Sequence, residues 1–126
     1  MRAISTYFKD SSRLHSLSPI ILLIICDLIV WCEQKQLPCV LTDSLTTLQE
    51  DEALNRQSST HREGRAFDVS TRGWTKENID EVIRVFGFKF RQIAAVGNDG
   101  SPNLIYFHDA GTGPHLHFQI HRKYAL

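Results

Sequence analysis

Ser59-Thr60-His61-Arg62-Glu63-Gly64-Arg65-Ala66-Phe67-Asp68 is the stretch around which this chain organises, and His115-Leu116-His117 answers it near the C-terminus. Ala66 to Val69 reads as a short strand, on which alternate residues share a face. Ala66 and Asp68 therefore look the same way, and alanine leaves room beside a ligand. Gly64 lies between His61 and Asp68. Glycine accepts backbone angles that other residues avoid, so the chain can turn there and carry His61 back beside Asp68. His115 and His117 likewise share one face of a later strand.

Together the two pieces supply three histidines and one carboxylate. Zn²⁺ takes His nitrogen and Asp oxygen, and a catalytic site leaves its fourth position to water. The simplest shell is His61, Asp68 and one histidine of the second piece. Such a set points to hydrolysis by zinc-activated water. A lone histidine would carry no such reading; the joint pattern does.

Outward from these pieces, Pro19 to Lys35 reads as a helix, with Ser18 as its N-cap, Pro19 at the first helical position and Pro38 beyond its end. Leu23 is expected in the core, so that Leu23→Asp would destabilise the whole domain. Cys39 to Asp43 is expected as a strand, with β-branched Val40 and Thr42. Ser44 to Thr60 is polar, with a turn of helix expected at Gln49 to Asn55, and it runs directly into His61. A long connection of this kind is either functional or a solvated loop. Thr75 is placed to cap a helix over Lys76 to Phe86, with Ile79, Val82, Ile83 and Phe86 on one face and Gly87 at its end. Arg91 to Val96 and Asn103 to Phe107 are expected as strands joined by a turn at Gly97 to Pro102. The first dozen residues read as a short helix or a loose arm. Trp31 is expected in the core, and Trp74 there or walling a cleft. The order of elements predicts an α+β fold, a small and largely antiparallel sheet carrying the metal site, flanked by two main helices.

The 126 residues are expected to form one domain, 1–126, and 42% hydrophobic with 22% charged residues is ordinary globular composition. Fourteen basic and fourteen acidic residues give a formal net charge of zero, which argues against nucleic-acid binding. Cys26, Cys32 and Cys39 are odd in number and suit small buried apolar positions better than a disulfide framework. The apolar run from Pro19 to Cys32 is shorter than the ~20 residues of a membrane span and contains Asp27. A buried helix and a soluble monomer are therefore expected, with synthesis in the cytoplasm and no stable membrane insertion.

The pattern Ser-x-His-x-x-Gly-x-Ala-x-Asp followed by His-x-His resembles the superfamily of lysostaphin, the D-alanyl-D-alanine metallopeptidases and the hedgehog signalling domain. The resemblance runs from roughly Leu14 to Gln119, and before the metal motif it is most like small phage endolysin peptidases. It implies His61, Asp68 and His117 as zinc ligands and His115 as the catalytic residue beside the metal. It implies a peptidoglycan peptide as substrate, met at the cell wall after release from the cell. Ser59, Arg65, His108 and Asp109 are candidates to bind that substrate. Two departures stand out. Thr46 falls where relatives place a carboxylate-binding arginine, for which Arg56, Arg62 and Arg65 are possible substitutes. Gly111 and Pro114 fall where relatives carry an acid acting as general base. These departures favour the alternative of a catalytically inactive zinc-binding module; a virion structural protein on the same fold is a further alternative.

Overall fold

The computed structural model describes residues 2–12, 14–43, 47–53, 55, 60–110 and 113–125. Its elements are α1 (Pro19–Lys35), β1 (Leu41–Asp43), α2 (Leu48–Ala53), β2 (Ala66–Ser70), α3 (Lys76–Lys89), β3 (Ile105–Ala110) and β4 (Gly113–Gln119), with short 3-10 turns near both termini. The four strands form one antiparallel sheet in the order β1-β2-β4-β3. The fold class is the expected α+β, with α1 and α3 as its main helices.

The Ser18 hydroxyl accepts the Ile20 N–H at 3.3 Å, Pro19 opens α1, and Gln36 ends it in the left-handed conformation. Ile21, Ile24, Ile25, Leu28, Ile29 and Cys32 recur at helical spacing and are fully buried. Beneath them lie Phe67, Val69, Leu116 and Phe118 from the core face of the sheet, also fully buried. The Phe67 and Phe118 rings stack at 4.5 Å across neighbouring strands. No helix among the described residues is long and apolar enough to cross a membrane. The three cysteines are free; Cys32 is buried, Cys26 and Cys39 half-buried.

Leu23 corrects the expectation made for it. It is 61% exposed, because the buried stripe of α1 passes through Ile24 and Leu28 instead. Leu23→Asp is now expected to cost less than about 1 kcal/mol, the usual range for a helix surface change. A urea titration of the variant checks this, and a loss of several kcal/mol would place Leu23 back in the core.

In α3 the Thr75 hydroxyl accepts the Asn78 N–H, and the Asn78 side chain accepts the Thr75 N–H. Val82 and Phe86 are buried, with Ile79 and Ile83 packed against the same core. The helix does not stop at Gly87 but runs to Lys89. Phe90 is the reason: its buried ring packs 5.9 Å from Phe86, one turn back, and its N–H bonds Phe86 O. Gly87 is thus a helix-interior glycine, and a Cβ there would meet nothing within 4 Å. Gly87→Ala is expected to stabilise the fold by roughly 0.5–1 kcal/mol. An unchanged or lowered thermal midpoint would contradict the open space at that position.

Other boundaries also differ. Arg91 to Val96 is not a strand. It turns, then makes the isolated bridge Ala94–Ile120 just beyond β4, while Val96 bridges Pro102 across the turn that follows. Ala94 and Ala95 are buried and Ile93 packs on the core, but the segment meets residues 119–121 only through single bonds, too few for a strand. The strand expected at Asn103 to Phe107 lies at Ile105–Ala110 instead, because its pairing with β4 continues to Ala110–Gly113. β1 starts at Leu41 rather than Cys39, and the expected helical turn is α2. The N-terminal residues are docked: Tyr7 and Phe8 are buried, and the Tyr7 hydroxyl donates to Glu33 at 2.6 Å. Trp74 packs against Trp31 at 5.6 Å and donates to Pro38 O at 2.9 Å, so it braces α1 rather than a cleft.

Candidate metal centre

The register of β2 and β4 sets Asp68 directly opposite His117, and Ser70 opposite His115. Side chains alternate across a strand, so Asp68, His115 and His117 stand on one face while Phe67, Val69, Leu116 and Phe118 fill the core behind them. His61 arrives by the turn at Gly64, whose φ is +70°. Gly64 N–H bonds His61 O, Arg65 N–H bonds Thr60 O, and Ser18 N–H bonds Gly64 O, which fixes the turn against the start of α1.

His61, Asp68 and His117 are 4%, 5% and 5% exposed. Asp68 Oδ1 lies 2.9 Å from His117 Nδ1 and 3.2 Å from His61 Nε2. The three donor atoms lie within 4.8 Å of one another, and the group can hold a metal ion. Ligand atoms of a tetrahedral site with bonds near 2.0–2.1 Å are about 3.3 Å apart, so these separations fit after small side-chain adjustments.

The surroundings support that fit. His117 Nε2 lies 3.2 Å from Gln119 Oε1, and the Gln119 amide donates in turn to Asn103 O at 3.0 Å. The amide is thereby oriented with its oxygen toward the imidazole, so Nε2 carries the proton. Nδ1 stands 2.9 Å from Asp68 Oδ1, a donor to the carboxylate when it carries a proton and a ligand beside it when a metal takes that proton's place. Burial raises the pKa of the Asp68 carboxyl, but hydrogen bonds from His117 and His61, with their charge, outweigh it and hold the group well below the usual carboxylate range.

Burial also lowers the His117 pKa below its ordinary 6.5, against the opposing pull of Asp68. As pH falls through 6.5, an unfolded His117 takes up a proton that the folded one refuses. Stability is therefore full above that pH and declines below it. Asp68 contributes a further loss only in stronger acid, below the ordinary carboxylate range. Metal occupancy should fall in the same direction, because the ligands must be deprotonated. Urea midpoints measured from about pH 7.5 to about pH 5.5 are expected to drop, and a flat profile would contradict this environment for His117.

His115 completes the face. Its Nδ1 lies 2.9 Å from Gly113 O, an acceptor only, so Nδ1 carries the proton and Nε2 is left with its lone pair. Nε2 is 3.9 Å from Asp68 Oδ2. His108 pairs with His115 across β3 and β4, and the two rings meet edge to face at 5.2 Å. Tyr106 pairs with His117 and lays its ring 4.7 Å from that imidazole.

Of the other expected site residues, Asp109 is exposed and pairs with Pro114, so strand alternation turns it away from the His108 face. Arg65 is buried; it donates to Glu63 at 2.7 Å and to Ile120 O at 2.8 Å, and so ties the Gly64 turn to the C-terminal segment. Those bonds leave it poorly placed to bind a substrate. Ser59, Thr46, Arg56 and Gly111 lie outside the described residues. Tyr106 and Gln119 were not anticipated. Gln119 shares parity with His117 and was open to discovery on that ground; Tyr106 needed the register of β3.

Among known proteins, no family model matches the chain, and neither a curated protein nor a solved structure matches it.

Proposed function

We propose that this chain is a zinc-dependent peptidase that hydrolyses peptidoglycan stem peptides. The observation that carries the reading is the buried His61/Asp68/His117 group with the free Nε2 of His115 beside it. Two imidazoles and one carboxylate are a donor set of catalytic zinc, with a fourth position left for the reaction. When bound, zinc supplies Lewis acidity that activates water at neutral pH and polarises a scissile carbonyl.

The chain's own groups do the rest. Asp68 remains ionised at neutral pH, and its single negative charge leaves the loaded centre with a net positive charge, which favours an anionic transition state. Gln119 holds the His117 ring so that Nδ1 faces the centre. His115 Nε2 accepts the proton of the attacking water and returns it to the leaving amine. The peptide substrate, a monomeric state, synthesis in the cytoplasm and action at the cell wall after release belong to the same proposal, as does the absence of nucleic-acid partners and of stable membrane insertion.

A second reading is a catalytically inactive zinc-binding module on the same fold. Pro114 favours it, because a proline stands in β4 where the superfamily resembled carries an acid. Zymography on peptidoglycan, with and without chelator, separates the two. Clearing that chelator abolishes and zinc restores supports the peptidase. A zinc-loaded, folded protein that clears nothing supports the inactive module and sinks the peptidase.

A further inference from the structure

His108 lies on β3 directly opposite His115, so the two side chains share the face that carries the metal centre. Among the described residues the His108 ring makes no hydrogen bond or ion pair; the His115 ring stands edge to face with it. His108 is exposed and His115 half-buried, so the pair opens to solvent beside the buried centre.

The His115 ring is held as ligand imidazoles are held. A ligating histidine commonly donates its second ring N–H to a backbone carbonyl, which fixes the tautomer and aims the other nitrogen. His115 Nδ1–H does this to Gly113 O at 2.9 Å. Its Nε2 lies 3.9 Å from Asp68 Oδ2. That is not the carboxylate oxygen that stands beside His61 and His117, which is Oδ1.

The spacing of the rings fits an ion between them. Two imidazoles on one tetrahedral zinc, with bonds near 2.0–2.1 Å, hold their ring centres about 5 Å apart. The His61 and His117 rings are 4.9 Å apart and cross at 73°. The His108 and His115 rings are 5.2 Å apart and cross at 61°. The second pair thus repeats, one strand further out, the ring geometry of the first, and Asp68 Oδ2 stands on its side as a further donor. A carboxylate that offers one oxygen to each of two ions suits the spacing of two-metal sites, roughly 3.5–4 Å.

We propose that His108 and His115, with Asp68 Oδ2 as the shared carboxylate oxygen, form a second divalent-cation site whose imidazole and carboxylate donors suit zinc. The second ion is held more weakly than the first and is lost on dialysis, because the site is open to solvent and shares the charge of Asp68. Bound at His115 Nε2, it occupies the lone pair that accepts the proton of the attacking water, so excess zinc arrests turnover. That consequence rests on the peptidase reading; the binding itself does not.

Zinc alone is the probe, titrated calorimetrically into the metal-free full chain with the histidine ring protons followed by NMR. The wild type is expected to take up a tight equivalent and then a weaker one, the latter shifting the His108 and His115 resonances together. His108→Ala and His115→Ala should each keep the tight equivalent. Each should weaken the second by more than about 100-fold, since loss of even an outer-shell partner costs 10–100-fold. A wild type without the weaker equivalent overturns the inference. So does a weaker equivalent that both variants keep, which marks an adventitious ion elsewhere.

Peptidoglycan clearing is followed in parallel. A second equivalent that depends on both histidines, with no clearing at any zinc level, supports the site and overturns the peptidase reading. Clearing by a wild type that binds no second equivalent does the reverse. Clearing that excess zinc arrests, with at least about tenfold more zinc needed in His108→Ala, supports both.

Discussion

His117→Ala is expected to lose stoichiometric zinc. The wild type should bind one zinc per chain, and the variant should bind more than about 100-fold more weakly, because loss of even an outer-shell partner costs 10–100-fold and this change removes a ligand. The geometry makes His117 the hinge of the group. It is the direct cross-strand neighbour of Asp68, its Nδ1 is 2.9 Å from Asp68 Oδ1, and Gln119 holds its other nitrogen. Alanine leaves His61 and Asp68 as two donors, too few to outcompete water for the ion. It also takes one hydrogen bond from a buried carboxylate, so some loss of stability is expected alongside. Elemental analysis after dialysis, with circular dichroism to confirm folding, makes the measurement. A folded variant that keeps full zinc occupancy would show that the ligands were wrongly assigned. His117→Gln, closer in size and still able to donate to Asp68, is the companion variant should alanine fail to fold.

The parts of this fold legible beforehand were those set by local chemistry. Ser18, Pro19 and Pro38 bracket α1, and the structure agrees at both ends. Thr75 and Asn78 start α3 as expected, but its end is decided by Phe90 burying its ring against Phe86, a tertiary effect that overrides the stop signal of Gly87. Arg91 to Val96 meets residues 119–121 through single bonds rather than a ladder, and propensity alone cannot supply one. The candidate site was legible for the same reason as α1. His61, Gly64, Asp68, His115 and His117 sit in short segments where a turn and a period of two determine which side chains converge. Tyr106 is different. Its place over His117 depends on how β3 aligns with β4, and a slip of one residue would have sent it to the core face and Phe107 to the site.

His115→Ala is expected to retain zinc and lose most hydrolysis, by about 10²–10⁴-fold, the usual contribution of a positioned general acid–base group. Retention follows from the geometry: the three metal donors are His61, Asp68 and His117, and His115 Nε2 lies outside them, 3.9 Å from the other carboxylate oxygen of Asp68. That separation is too long for a hydrogen bond to Asp68. The Gly113 carbonyl, by accepting a hydrogen bond from Nδ1–H, keeps Nε2 in the form that accepts a proton. Substitution should thus depress kcat more than it raises KM, because a proton acceptor acts on the transition state rather than on the bound peptide. His115→Gln tests the same point with less change of volume, since an amide can occupy the space without taking a proton. Should turnover survive both substitutions with zinc in place, the role passes to His108, whose ring already meets His115 from the adjacent strand. Asp109 is the weaker heir, because the pairing that faces His108 toward the centre turns its neighbour away.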